Sequence, residues 1–310
     1  HPVHQALLPN VRSIERRRKF VAKLQHIIDT EWPNRGATAQ LFGSTMSNLA
    51  TSYSDVDICL MTDWPGLCDV YTLASGLQKH GMRRVFCVSG AKVPIVKLWD
   101  PEYDLACDIN INNPLSVQNT CMVRAYVSID PRVRPLTMII KYWSKRRELN
   151  DAAGGGTLST YTWVNMVIFY LQTRSPPILP VLQQFKRPEN AKPGYFYEDV
   201  TQLTGFGYAN HESLGALLYG FFKYYALTFD YEHDVVSVRL GRCLSKEEKG
   251  WHTGRNYRML CVEEPFTQFR NLGNSADEVS ASGIRDEFRR ALTILHEYAD
   301  LSGMAKRFVF

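Results

Sequence analysis

Apolar positions recur at roughly helical spacing from Val11 to Ile28, where Ile14, Phe20, Val21, Leu24, Ile27 and Ile28 gather toward one face. Arg16, Arg17, Arg18 and Lys19 fill the rest, so the basic run reads as a solvated helix face. Pro33 and Gly36 break the pattern, and the chain switches to short β-type runs at Ala37 to Phe42, Val56 to Met61, Arg83 to Ser89, Val93 to Trp99 and Leu105 to Ile111. A helix-like stretch from Leu67 to His80 separates the second run from the third. Strands mixed with helices at this density predict a small mixed α/β sheet domain. Beyond it the spacing predicts helices over Leu115 to Tyr126, Arg134 to Leu149, Leu158 to Leu171, Glu212 to Phe229 and Glu278 to Leu301, hence a larger, mainly helical domain. Gly154-Gly155-Gly156 and the Pro-rich Ser175 to Pro193 read as loops, and short strands at Val235 to Leu240 and Met259 to Val262 bracket a polar loop.

Composition narrows the class. With 310 residues and 45% hydrophobic content the chain can bury a core, which excludes disorder as its main state. Lys and Arg number 36 against 31 Asp and Glu, and the resulting +5 permits a polyanionic partner without requiring one. Seven cysteines without a C-x-x-C pair read as reduced, mostly core residues of an intracellular protein. No apolar run approaches the roughly 18 residues of a membrane span, so no membrane partner and a cytoplasmic location are expected.

The candidate chemistry begins at Gly43-Ser44, which ends a predicted strand, and continues at Asp55-Val56-Asp57. Residues two apart on a strand share a face, so Asp55 and Asp57 aim two carboxylates in one direction. Like charges so placed repel unless a cation lies between them, and hard oxygen ligands suit Mg²⁺. An exposed strand start with ordinary acids would look the same at this level. Asp108, inside the apolar run Ala106 to Ile111, adds a third acid at a position where an unpaired carboxylate is costly.

Gly43-Ser44, Asp55-x-Asp57 and Asp108 together resemble the signature of the DNA polymerase β-like nucleotidyltransferases. Further segments in the same order resemble the branch of non-canonical poly(A) polymerases and terminal uridylyltransferases: Asn112 to Thr120, Lys141 to Arg146, Gly156 to Tyr161, and Cys261 to Asn271. The resemblance implies a catalytic palm over residues 33–118 and a central domain made of 1–32 and 119–310, with a cleft between them and a nucleotide recognition motif near 258–275. It implies two-metal catalysis with Mg²⁺, or Mn²⁺ in its place, on Asp55, Asp57 and Asp108, with Asp108 nearest a base role. Gly43 would let a phosphate approach, Asn119 would meet a ribose 2′-hydroxyl, and Ser44, Thr120 and Thr160 would donate hydroxyls to phosphate. Lys141 and Lys145, four apart on one helix face, would bind the triphosphate, and Tyr161 would stack on the base. The partners implied are a ribonucleoside triphosphate and an RNA 3′ end, met by a monomer that works with RNA-decay factors in mRNA 3′ tagging.

Arg270, immediately before Asn271, departs from the branch: uridylyl-adding relatives carry His there. An Arg donates only, which suits the N3 acceptor of cytosine and not the N3–H of uracil, and its bulk opposes a purine. Glu264 would accept from the cytosine N4 amine. These two residues resemble the pattern of fungal CutA-type enzymes and lead to the expectation of CMP addition, with some UMP. Uridylyl or adenylyl addition is the alternative, and a catalytically silent RNA-binding protein would need a damaged acid triad. The basic stretches Arg12 to Lys19 and Lys145 to Arg147 are the candidate RNA contacts.

Overall fold

The computed structural model describes residues 2–90, 93–152, 154, 156–191, 194–298 and 300–308. Gly155, Lys192 and Pro193, within the two predicted loops, and Ala299, within the last predicted helix, lie outside the described residues. The chain divides into two compact units, His1–Arg124 and Ala125–Phe310.

In the first unit, helices α1 (Pro2–Leu7) and α2 (Val11–Glu31) precede a five-stranded sheet of β1 (Thr38–Phe42), β2 (Val56–Met61), β3 (Arg83–Val88), β4 (Ile95–Asp100) and β5 (Leu105–Ile111). A single helical turn α3 (Gly43–Met46) follows β1, and α4 (Val70–Lys79), capped by the Asp69 carboxylate on the Thr72 N–H, precedes β3. The strand order is β1-β2-β5-β4-β3, with β2 and β5 parallel and the other pairs antiparallel. Register explains the sheet's two faces. Val56 pairs with Cys107 and Ile58 with Ile109, and these buried side chains meet Phe20, Leu24, Ile27 and Ile28 of α2 and Leu73 and Leu77 of α4. The residues between them, Asp57 and Asp108, therefore share the face away from this core.

The domain boundaries differ from those expected. Residues 1–32 were assigned with 119–310, yet α2 buries its apolar stripe against the sheet and belongs to the first unit, which runs on to Arg124. Arg17 also departs from the solvated basic face: it falls on the buried stripe, 3% exposed, and donates to the carbonyls of Thr51 (2.7 Å) and Ser54 (2.8 Å). A charge can be buried there because carbonyls of the loop leading into β2 receive it.

The chain leaves the first unit along α5 (Pro114–Ile129). In the second unit, α6 (Val133–Arg146), α7 (Thr160–Gln172), α8 (Leu214–Lys223) and α9 (Glu278–Tyr298) surround an aromatic core, and α10 (Leu301–Met304) follows. Trp143 meets Phe222 at 4.8 Å and Trp163 at 5.5 Å between ring centroids, and Phe288 packs on both tryptophans. Trp143, Trp163 and Phe169 are fully buried, as their apolar surroundings predict. The predicted helix Glu212 to Phe229 starts two residues later and gives way to a π-helical turn at Tyr224–Thr228. A three-stranded sheet, β7-β6-β8, is formed by β6 (Asp234–Ser237), β7 (Arg242–Ser245) and β8 (Cys261–Val262). β7 lies within the stretch read as a polar loop; four residues with one buried side chain carry too little pattern to be recognised. Cys68 and Cys121 are exposed, unlike the core positions expected of most cysteines. Among the described residues no helix is long and apolar enough to cross a membrane.

Candidate functional site

The expected site residues fall into two sets, one on each unit. On the first unit, Asp57 and Asp108 are direct register partners on parallel strands, and Asp55 lies two residues before Asp57 at the exposed entry to β2. Phe42 pairs with Asp57 from the other side, so the β1–α3 turn brings Gly43 and Ser44 next to that carboxylate. Gly43 has φ of +66°, and a Cβ on it would collide with the Asp57 side chain. Its N–H donates to Thr120 Oγ1 at 2.9 Å, and the Thr120 hydroxyl in turn donates to the Ser116 carbonyl at 2.8 Å. Thr120, buried on α5, thus fixes the Gly43 turn, and its one proton is committed away from any phosphate. Asn119 beside it keeps a buried Oδ1 with no hydrogen-bond donor among the described residues.

A cation suits the donor set of hard carboxylate oxygens beside a turn kept clear of side chains. The side chains are not yet gathered: among the described residues no three acid, His or Cys groups converge at metal-holding distance. Asp108 is instead engaged by Lys97 of β4 in an ion pair. Burial, followed by the nearby charges of Asp57, Asp108 and Asp55, pushes the Cys107 thiol well above its usual range and leaves it inert beneath the acids.

On the second unit, Lys141 and Lys145 lie one turn apart on α6. Of the two arginines that extend that basic run, Arg147 is buried and forms a bidentate pair with Glu287 at 2.7 and 2.8 Å, so it is not the open RNA contact expected from sequence, whereas Arg146 makes one bond to the Ala305 carbonyl and stays exposed. Ser159 caps α7, and the Thr160 hydroxyl exchanges hydrogen bonds with the Asn150 amide at 2.9 and 3.1 Å rather than projecting freely toward a phosphate.

Tyr161, in the first turn of α7, donates its hydroxyl to Glu264 Oε1 at 3.3 Å. Burial, then the Glu264 charge, raises its pKa well above the usual range, so it remains a phenol. The other oxygen of Glu264 accepts the N–H groups of Phe266 and Thr267, and Glu264 N–H donates to the Arg270 carbonyl at 3.0 Å. Glu264 therefore closes its own turn and orients Tyr161, and both carboxylate oxygens expected to read an amine are already engaged. Arg270 stands close enough for its charge to act on the Tyr161 hydroxyl.

Sequence reading missed the supports of this turn. Glu263 is fully buried and is held by Ser237 (2.6 Å), Lys249 (2.8 Å) and Arg239 (3.0 Å); burial raises its pKa, but these partners outweigh it and the carboxyl lies below its usual range. Lys246, 2% exposed, ties the carbonyls of Tyr231, Tyr257 and Met259 together. Their partners are distant in sequence and leave no local signal. Lys97 was legible in principle, as the one basic residue in the otherwise apolar run Ile95 to Trp99.

Comparison with known proteins places the chain in a family. Residues 1–128 match the central palm domain of mitochondrial-like poly(A) RNA polymerases, and residues 213–269 match the Cid1 family poly A polymerase segment. The Schizosaccharomyces pombe proteins named poly(A) RNA polymerase cid13 and cid11 are 45% and 46% identical, over 100% and 95% of this chain and 55% and 61% of their own lengths. The chain thus spans little more than half the length of these relatives. Human terminal uridylyltransferase 7 is 33% identical over 86% of this chain and 18% of its own length. Among solved structures, a cytoplasmic RNA terminal U-transferase superposes with a TM-score of 0.88 at 28% identity, covering 100% of this chain and 97% of that one. The Cid1 poly(U) polymerase in complex with the UTP analog UMPNPP gives 0.87 at 28% identity, covering 99% and 96%.

Proposed function

The chain belongs to the Cid1-type nucleotidyltransferases, and from that premise we propose that it extends RNA 3′ ends without a template, one ribonucleotide at a time. The observation that carries this reading is the register pair Asp57 and Asp108 on the open sheet face, with Asp55 one step away and a clear glycine turn beside them. Asp55, Asp57 and Asp108 would hold Mg²⁺, which when bound supplies Lewis-acid stabilisation and a more acidic attacking hydroxyl. Ser44 offers a hydroxyl to phosphate, Lys141 and Lys145 offer ammonium groups to the triphosphate, and Tyr161 offers a flat face for the base. The buried, undonated Oδ1 of Asn119 suits a ribose 2′-hydroxyl, which favours ribonucleotides.

For the base, AMP addition is the leading assignment. The two S. pombe relatives at 45% and 46% identity carry the name poly(A) RNA polymerase. The expectation of CMP rested on Glu264 as a free acceptor together with Arg270, and Glu264 is committed to Tyr161 and its own turn. Arg270, whose carbonyl accepts the Glu264 N–H at 3.0 Å and which therefore belongs to the turn that holds Tyr161, keeps cytidylyl addition as the second reading. Extension of a short RNA with each of the four triphosphates alone decides between them. ATP is expected to give the longest tails; equal or longer tails with CTP would overturn adenylyl preference, and no extension with any triphosphate would overturn the activity itself.

A further inference from the structure

The row of paired residues that carries the acids continues past them. Asp57 of β2 pairs with Asp108 of β5, Asp108 with Lys97 of β4, and Lys97 with Phe86 of β3. Side chains paired in this way lie on one face of strands about 4.8 Å apart, so Lys97 is placed beside Asp108 by the sheet itself. Its neighbours on that face of β4, Ile95 and Trp99, are apolar, and the ammonium reaches across to Asp108 Oδ2.

Two observations meet here. The backbone sets Asp57 and Asp108 side by side, yet no three acidic side chains converge among the described residues, and the Asp108 carboxylate is turned onto Lys97. Three like charges on one face repel, and a neighbouring cation offsets part of that repulsion. A divalent ion asks for the same oxygen, so the two cations compete for it.

We propose that Lys97 is a positioning residue that holds Asp108 out of the metal set in the substrate-free enzyme and yields the carboxylate when the divalent cation binds. The consequence is a metal affinity held down by the competing ammonium, which on release remains as a positive charge beside the acids. The inference rests on the reading of Asp55, Asp57 and Asp108 as metal ligands.

The test uses the protein without nucleotide or RNA, titrated with Mn²⁺ while electron paramagnetic resonance reports the free ion. Lys97 is half exposed, so its substitution spares the core. Lys97→Met is expected to bind Mn²⁺ at least about fivefold more tightly than the parent, while Lys97→Arg, which keeps the charge, stays within about twofold. Unchanged or weaker binding in Lys97→Met would overturn the proposal, as would equal tightening in Lys97→Arg, because the effect would then not be one of charge. Asp108→Asn in both backgrounds separates the two levels of the argument. It should abolish the tightening seen in Lys97→Met; if Lys97→Met combined with Asp108→Asn binds Mn²⁺ as tightly as Lys97→Met alone, Asp108 is no ligand and the metal-ligand reading itself fails.

Discussion

Gly43 shows how one residue links backbone conformation to chemistry. Its φ of +66° turns the chain from β1 into α3, its missing side chain leaves the Asp57 carboxylate in place, and its N–H is held by Thr120. A methyl group there meets both the steric cost of a left-handed residue and the Asp57 side chain. Gly43→Ala is therefore expected to lower stability by about 1–2 kcal/mol while lowering the rate of nucleotide transfer about a hundredfold or more, because the carboxylate must move by a large fraction of an ångström or more. Thermal melting together with single-turnover rates checks this; a rate within threefold of the parent would remove Gly43 from the catalytic geometry. The Gly-Ser and Asp-x-Asp pattern was legible because it is local. The engagement of Thr120, Thr160 and Glu264 was not, since each meets a partner that only the folded chain identifies: Gly43, Asn150 and Tyr161.

At the scale of elements, periodicity located the strands of the first sheet well, with Val56–Met61 and Leu105–Ile111 at their predicted bounds. It could say that α2 has an apolar stripe but not which unit that stripe covers; the family resemblance grouped residues 1–32 with 119–310, whereas the stripe packs on the sheet of the first unit. Arg17 was misread for the same reason: it follows Ser13 by four residues and precedes Phe20 and Leu24 by three and seven, which places it on the buried face. There it fastens the loop 51–54, and with it the entry to β2 that carries Asp55. Arg17→Met keeps the apolar stem and strips the donors from the carbonyls of Thr51 and Ser54. Leaving them without donors is expected to cost about 1–3 kcal/mol in urea unfolding. Arg18→Met, whose side chain pairs with Glu15 in solvent, should leave the urea midpoint close to that of the parent. Equal costs for the two would show that Arg17 is surface charge after all.

Over the whole molecule, the +5 charge says little, because the charges that matter are sorted locally. Asp57 and Asp108 share one face of the first unit's sheet, whereas Lys141, Lys145 and Arg270 belong to the second with Tyr161 and its turn. In the proposed reaction the three acids act at the phosphate, while the base and most of the triphosphate charge are assigned to Tyr161, Lys141 and Lys145. This assignment predicts that substitutions on the two units fail in different ways. Tyr161→Ala removes a stacking face worth about 1–3 kcal/mol, so KM for the nucleotide should rise about tenfold to a hundredfold with kcat much less affected. If Asp57 is the metal ligand proposed, Asp57→Ala should lower kcat at least about a thousandfold while nucleotide binding, measured by displacement of a fluorescent analogue, changes little. The split is what tests the assignment. Loss of kcat alone in Tyr161→Ala would place that ring at the chemistry instead of the base, and loss of nucleotide binding in Asp57→Ala would mean that the acids, not the α6 lysines and Tyr161, supply most of the grip.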